Sequence, residues 1–412
     1  MSEATNIEWK SLDPKEIPLS DIDLVDPHIF HNDFHVKIFE RLRKESPVHY
    51  QRDHEVVGSF WNVTRYQDIM SVDTDPATYS SEGSIVATDP EEEFPLPMFI
   101  AMDPPKHDKQ RKEVSPVVGP KNLAKMESTI RKRAGDILDS LPVNTEFNWA
   151  DKVSIELTTQ MLATFFDFPF EDRRKLTRWS DVATADEQSG IIESEEQRRA
   201  ELLECLEYFT GLWNERVYAP PRNDLISMLA HGESTKNMDP AEYLGNLILL
   251  IVGGNDTTRN SISGGIKFLN ENPLEYQKLI KNQSLIPNMV SEIIRYQTPL
   301  AYMRRTAMKD TILGCQNIKA GDKVLMWYVS GNRDSTAISD ADNFLLDRPD
   351  ARKHLSFGLG IHRCMGNRLA EMQLRVLWEE ILKRFIKIEF TGPVIMVNSS
   401  FVKGYSHLPA II

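Results

Sequence analysis

Cys364 sits in the stretch HLSFGLGIHRCMGNR, where Phe357, Gly360, His362, Cys364 and Gly366 keep the spacing F-x-x-G-x-H-x-C-x-G. A cysteine thiolate is a soft metal ligand and a strong electron donor to iron. Glycines at 358, 360 and 366 permit positive φ and let the backbone approach a bulky partner closely. Beyond the loop, Leu369, Met372, Val376, Leu377, Ile381 and Phe385 keep helical spacing. Cys364 therefore precedes a helix, where unpaired N–H groups and the macrodipole favour a thiolate. A nucleotide loop is excluded because Arg363 holds the last glycine position of G-x-G-x-x-G and no β-branched run precedes it. Zinc is excluded because Cys205 and Cys315 are remote and there is no C-x-x-C.

A second group is Gly253-Gly254-Asn255-Asp256-Thr257-Thr258, directly after the apolar run 247–252. Two glycines, an acid and two threonines are poor helix formers in a buried segment. Such a conflict between local preference and context marks a functional site. Glycines permit a kink or widened turn, and a threonine hydroxyl beside a carboxylate can relay protons. The plain structural reading is a packing kink with Thr257 bonded back to the preceding turn. Leu249, Val252 and Gly253 lie eight, five and four residues before Thr257 and share its face.

Two further pairs are spaced for chemistry. His107 and Arg111 lie four apart after Pro104-Pro105, on one helix face. Glu292 and Arg295 are three apart, a spacing that on a surface is worth a few tenths of a kcal/mol.

These groups need elements to hold them. A helix over 240–270, with Asp239 as N-cap and Pro240 in its first turn, would span roughly 45 Å at 1.5 Å per residue. Helices are also expected over 36–44, 124–141, 152–166 and from Pro287, and strands over 48–50, 55–59, 60–63 and 324–329. Residues 1–35 read as an extended arm, 83–100 as a loop-like flap ending in Met98, Phe99 and Ile100, and 171–218 as charged helix–loop–helix. SSFVKGYSHLPA reads as a terminal hairpin with Phe401 and Val402 at its tip. With 412 residues and motifs spread over most of the length, one large domain closing on one site is expected. The net charge of −13 argues against nucleic acid as a partner. Three scattered cysteines, a polar N-terminus and no long apolar run point to a cytoplasmic protein rather than a membrane protein.

The His–Arg helix, the acid–threonine helix, E-x-x-R and the cysteine loop, in this order along the chain, resemble the soluble bacterial cytochrome P-450 family. The runs GGNDTTRNSISGG, QTPLAYMRRTA and FVKGY are similar to the terminal hydroxylases of medium-chain alkanes and fatty acids. The resemblance implies a mainly α (α+β) triangular helical domain with a small β-rich region. It implies haem b, held by Cys364 at the iron, within a loop that includes Phe357, His362 and Gly366. His107, Arg111 and Arg305 (with Arg304 as the competing choice) would reach the haem propionates. Asp256 and Thr257 would deliver protons during O2 activation. Leu300, Ala301, Tyr302, Phe401 and Val402 would line the substrate pocket with the long-helix residues and the Met98–Ile100 flap, residues 171–218 forming its lid. Glu292 and Arg295 would be a buried pair; Asn343 stands where an arginine usually completes it, leaving that position neutral. With no flavin or iron–sulfur motif, electrons are expected from a 2Fe–2S ferredoxin and its NAD(P)H-dependent reductase, docking near Arg352, Lys353, Arg363 and the basic stretch 106–112. The expected enzyme is a monomeric monooxygenase of a small hydrophobic substrate. A hydroxylase of terpenes or other rings, a peroxide-driven peroxygenase and a non-catalytic haem sensor are the competing readings.

Overall fold

The computed structural model describes residues 13–185 and 189–412. The first part of the arm, 1–12, lies outside the described residues, as do 186–188 of the lid. The rest of the arm is not freely extended. It turns twice as 3-10 helix, Leu19–Asp21 and Pro27–Asp33, and buries Ile17, Ile22, Leu24, Ile29 and Phe30 against the sheet.

Helices dominate the rest. In chain order they are α1 Phe34–Glu45, α2 Tyr66–Asp73, α3 Lys106–Val114, α4 Pro120–Asp139, α5 Glu156–Phe166, α6 Arg174–Thr184 and α7 Glu195–Val217. Then come α8 Leu225–His231, α9 Pro240–Glu271, α10 Pro273–Lys281, α11 Ile286–Gln297, α12 Tyr328–Gly331 and α13 Asn367–Arg384. The main sheet orders its strands Val48–His54, Gly58–Val63, Lys323–Met326, Met303–Ala307 and Tyr79–Ser80. The strand expected over 324–329 ends at Met326, and Tyr328 already opens α12. Among the described residues no helix is long and apolar enough to cross a membrane.

α9 is the axis of the fold. Asp239 accepts a hydrogen bond from the Glu242 N–H at 2.9 Å, which satisfies one open donor of the first turn. Its middle is buried on nearly every side, among α5, α6, α11 and α13. The helix is unbroken through Gly253–Thr258, so the kink expected from composition does not interrupt it. The two glycines serve different ends. A Cβ on Gly254 would meet Leu162 of α5 at 2.8 Å, whereas one on Gly253 would meet nothing within 4 Å.

Behind the site, Glu292 and Arg295 are wholly buried and joined by two hydrogen bonds of 2.7 Å. Arg295 also donates to the carbonyls of Asn332, Ala341 and Asn343. The third member of this network is not neutral. Arg348, five residues beyond the expected position, donates to the same Glu292 carboxylate at 3.0 Å. Backbone carbonyls satisfy the remaining guanidinium hydrogens, the condition under which buried charge is tolerated.

Candidate active site between the cysteine loop and the long helix

One cavity of about 1970 Å³ opens between the cysteine loop and α9. Cys364 faces it, and its backbone N–H donates to the Phe357 carbonyl at 2.7 Å, closing the loop. Gly358 and Gly360 adopt φ of 62° and 61°. At Gly360 this is also a packing need, because a Cβ would press into the Asp73 carbonyl. Gly366 differs from expectation: its φ is −87° and the space beside it is open. The thiol is not simply activated by the helix behind it. Burial pushes its pKa up, while the Gly366 N–H and the Arg111 and Arg363 guanidiniums pull the other way.

Phe357, His362, Gly366, Arg111 and Arg305 also line the cavity. His107 does not line it but packs against His362, ring centroids 4.2 Å apart and planes tilted by 55°. Burial, with Arg305, His107 and Arg111 around it, lowers His362 to about 2, so the ring is neutral. Arg304 turns away, to the carbonyls of Ala87 and Thr88 and to Asp89 at 2.9 Å. Arg305 stays at the cavity wall, with Nη2 on Asp73 at 2.8 Å.

On the α9 side, Thr257 faces the cavity and its Oγ1 donates to the Gly253 carbonyl at 3.0 Å. That is the back-bond of the plain structural reading, and it coexists with exposure to the cavity. Asp256, one residue earlier, points away from the cavity. Its Oδ1 accepts from Ser180 at 2.9 Å and lies 3.0 Å from Arg259, which reaches Asp181 at 2.5 Å. Its Oδ2 is buried without a partner. Burial raises the Asp256 pKa, and Arg259 opposes the rise. Arg259 was within reach of sequence reading, being three residues on in the same helix. Ser180 and Asp181 carried no signal, since only the packing of α6 on α9 brings them there.

Of the expected substrate contacts, Met98, Phe99, Ile100, Leu249, Val252, Gly253, Leu300, Tyr302 and Phe401 line the cavity. Ala301 and Val402 do not. Ala301 packs with Tyr302 and Trp327 in the core under the sheet. Val402 is buried, paired through its backbone with Leu300, because side chains alternate along extended segments. The flap is anchored rather than loose. The Phe99 N–H donates to Asn246 of α9 at 3.0 Å, and Glu91 holds Arg198 and Arg199 of α7 at 3.0 and 2.8 Å.

A mainly helical protein in which a loop cysteine and a threonine of the long buried helix line one cavity has the architecture of a haem-thiolate protein. The family profile described as Cytochrome P-450 matches residues 196–393. Linalool 8-monooxygenase from Pseudomonas putida is 34% identical over 404 residues, 95% of this chain and 98% of that protein. A methyl-branched lipid omega-hydroxylase from Mycobacterium tuberculosis is 30% identical, covering 96% of each. The structure of CYP153D17 from Sphingomonas sp. PAMC 26605 superposes with a TM-score of 0.90 at 48% identity, covering 94% of this chain and 98% of that one. The chain belongs to the cytochrome P-450 family. It is accordingly a haem b monooxygenase of the bacterial type. The residues present fit that group: the cysteine faces a large cavity, and His107 Nε2 and both ring nitrogens of His362 are buried without protein partners.

Proposed function

We propose that this cytochrome P-450 hydroxylates the chain end of aliphatic substrates, medium-chain alkanes, fatty acids and related chains, with electrons from a 2Fe–2S ferredoxin. The observation that carries the reading is the apolar wall formed by Leu249, Val252, Leu300, Phe99 and Phe401, with the open side of Gly253 as its floor. Bound haem supplies the activation of O2 for insertion into a C–H bond. Cys364 would hold the haem iron through its thiolate, His107, Arg111, His362 and Arg305 would hold the haem carboxyl groups, and Phe357 and Gly366 would complete the ligand loop. Thr257 holds a proton at Oγ1 on the cavity side. Asp256 replenishes it from the α6 side, where Arg259 bridges it to the partly exposed Asp181 carboxylate. On the outer side of the cysteine loop, exposed Arg352, Lys353, Arg363, Lys109 and Lys112 suit an acidic ferredoxin.

The wall offers little fixed charge, so each buried CH2 contributes roughly 0.8 kcal/mol and affinity climbs with chain length until the space is full. Terminal C–H bonds are the strongest in the chain, so selectivity for them requires a constriction that presents only the chain end. We assign it to Leu249, Val252 and Leu300. The test is product analysis with n-alkanes, fatty acids and terpenoid alcohols, using ferredoxin, reductase and NADH, and hydrogen peroxide alone as a separate arm. Terminal alcohols in the first arm, moving to the second and third carbons in Leu249→Ala or Leu300→Ala, are expected. Oxidation only at inner carbons would remove the terminal reading. Preference for terpenoid alcohols, which the name of the Pseudomonas putida relative makes the second reading, would remove the aliphatic one. Turnover only with peroxide would replace the ferredoxin.

A further inference from the structure

Asp73 is the last residue of α2, and its side chain is 1% exposed. Nothing in the sequence distinguishes it from any acid at a helix end. Its carboxylate nonetheless receives three donors from three separate elements. Arg305, on the strand Met303–Ala307, donates through Nη2 at 2.8 Å. The Tyr328 hydroxyl, from α12, donates at 2.9 Å. The Leu359 N–H, five residues before Cys364 in the ligand loop, donates at 2.7 Å. The backbone of Asp73 also seats Gly360, which has no room for a Cβ against its carbonyl. Asp73, Tyr328 and Arg305 all border the cavity that Cys364 faces.

We propose that Asp73 is a positioning residue that ties Arg305 to the cysteine loop, and that its charge limits how much of the Arg305 cation is offered to the haem carboxyl groups. Every partner is a donor, so the anion is the form all three satisfy, and charge-assisted hydrogen bonds of this length are the strong kind. Burial raises the Asp73 pKa, and Arg305, the Leu359 N–H and Tyr328 offset that rise in part. Burial, together with the Asp73 charge, pushes the Tyr328 phenol well above its ordinary range and keeps it a donor. One fixed negative charge at the edge of a low-dielectric cavity stabilises the more positive, ferric state of a bound haem. A shared guanidinium is also held in one orientation, which fixes where it presents its remaining hydrogens.

Asp73→Asn keeps the shape but sets an amide N–H2 against a donor, and removes the charge. In the haem-loaded protein it is expected to shift the reduction potential positive, measured by dye-mediated titration. Tyr328→Phe removes a hydrogen bond and no charge, so its potential stays at the wild-type value. Its reduced carbon-monoxide complex instead loses the thiolate-type Soret band faster than wild type, because the loop is less firmly tied. A purely structural role for Asp73 predicts that both variants lose the band and neither moves the potential. An Asp73→Asn protein that binds haem at the wild-type potential overturns the proposal. If Asp73→Asn does not retain haem, Asp73→Glu decides. It restores haem content and the wild-type potential if charge is what matters, and a displaced potential in Asp73→Glu overturns the proposal.

Discussion

Arg348 and Glu292 are joined at 3.0 Å where neither is accessible to solvent, on the carboxylate that Arg295 already holds with two hydrogen bonds. One acid thus faces two cations, and the Leu345 N–H donates to it as well at 2.9 Å. This cluster braces α11 against the segment that leads into the cysteine loop.

Glu292→Gln leaves two buried guanidiniums facing a neutral amide. The expected loss is about 3–5 kcal/mol, with reduced haem incorporation. Arg348→Met alone is expected to cost more than about 1 kcal/mol, and less when Glu292 is already changed. Urea midpoints and haem content of the two single variants and the double variant measure this. Additive losses would mean that Arg348 acts independently of Glu292.

Thr257→Ala is expected to keep haem and substrate binding while product per NADH falls about 10-fold or more and hydrogen peroxide appears. Asp256→Asn is expected to slow turnover by about 100-fold instead. Burial holds the Asp256 carboxyl above its ordinary range, so it keeps a proton to deliver at higher pH than an exposed aspartate. Wild-type turnover should therefore decline as pH rises through that raised value, and the Asp256→Asn profile should lack this limb. Unchanged coupling in the first variant and an unchanged profile in the second would make both residues structural.

Lys403 is buried in the turn behind Phe401, 4.0 Å from Asp33, and burial lowers it to about 8 with Arg333 and Lys267 adding to the effect. Asp33 and Glu271 work against that shift. The unfolded chain keeps the proton to a higher pH than the folded one, so the cost of burying the charge is full below pH 8. It is relieved as pH rises towards the ordinary lysine value. Relative to Lys403→Met, the wild type should gain about 3 kcal/mol between pH 8 and 10.5. Chemical denaturation of both proteins across that range is the measurement. A stability difference that does not change with pH would mean Lys403 is not buried as a cation.

Glu91 joins the flap to α7 through Arg198 and Arg199. The pairs are partly exposed, so Glu91→Ala is expected to change stability by less than about 1 kcal/mol. Substrate entry and release should accelerate several-fold, read as the rate of the substrate-induced Soret change in stopped flow. Unaltered rates would place the gate elsewhere.

The cysteine loop, the His–Arg pair, E-x-x-R and the buried helix with its acid–threonine step were legible from residue type and spacing, because each is local: a loop followed by a helix, or neighbours three or four apart on one face. Backbone periodicity also settled that α9 would be long and buried. Long-range packing decided the rest. The choice of Arg305 over Arg304 depends on alternation along a strand whose pairing partner lies some twenty residues away. Ala301 and Val402 left the pocket for the same reason, since a one-residue step in extended backbone reverses the face a side chain occupies. Arg348 replaced the neutral position expected at Asn343 because a long side chain reaches a carboxylate from more than one place in the chain. Asp73, Ser180 and Asp181 are ordinary polar residues at helix ends and along a helix until α2 meets the cysteine loop and α6 meets α9. Spacing within one element is written in the chain, whereas contact between elements exists only once they are packed.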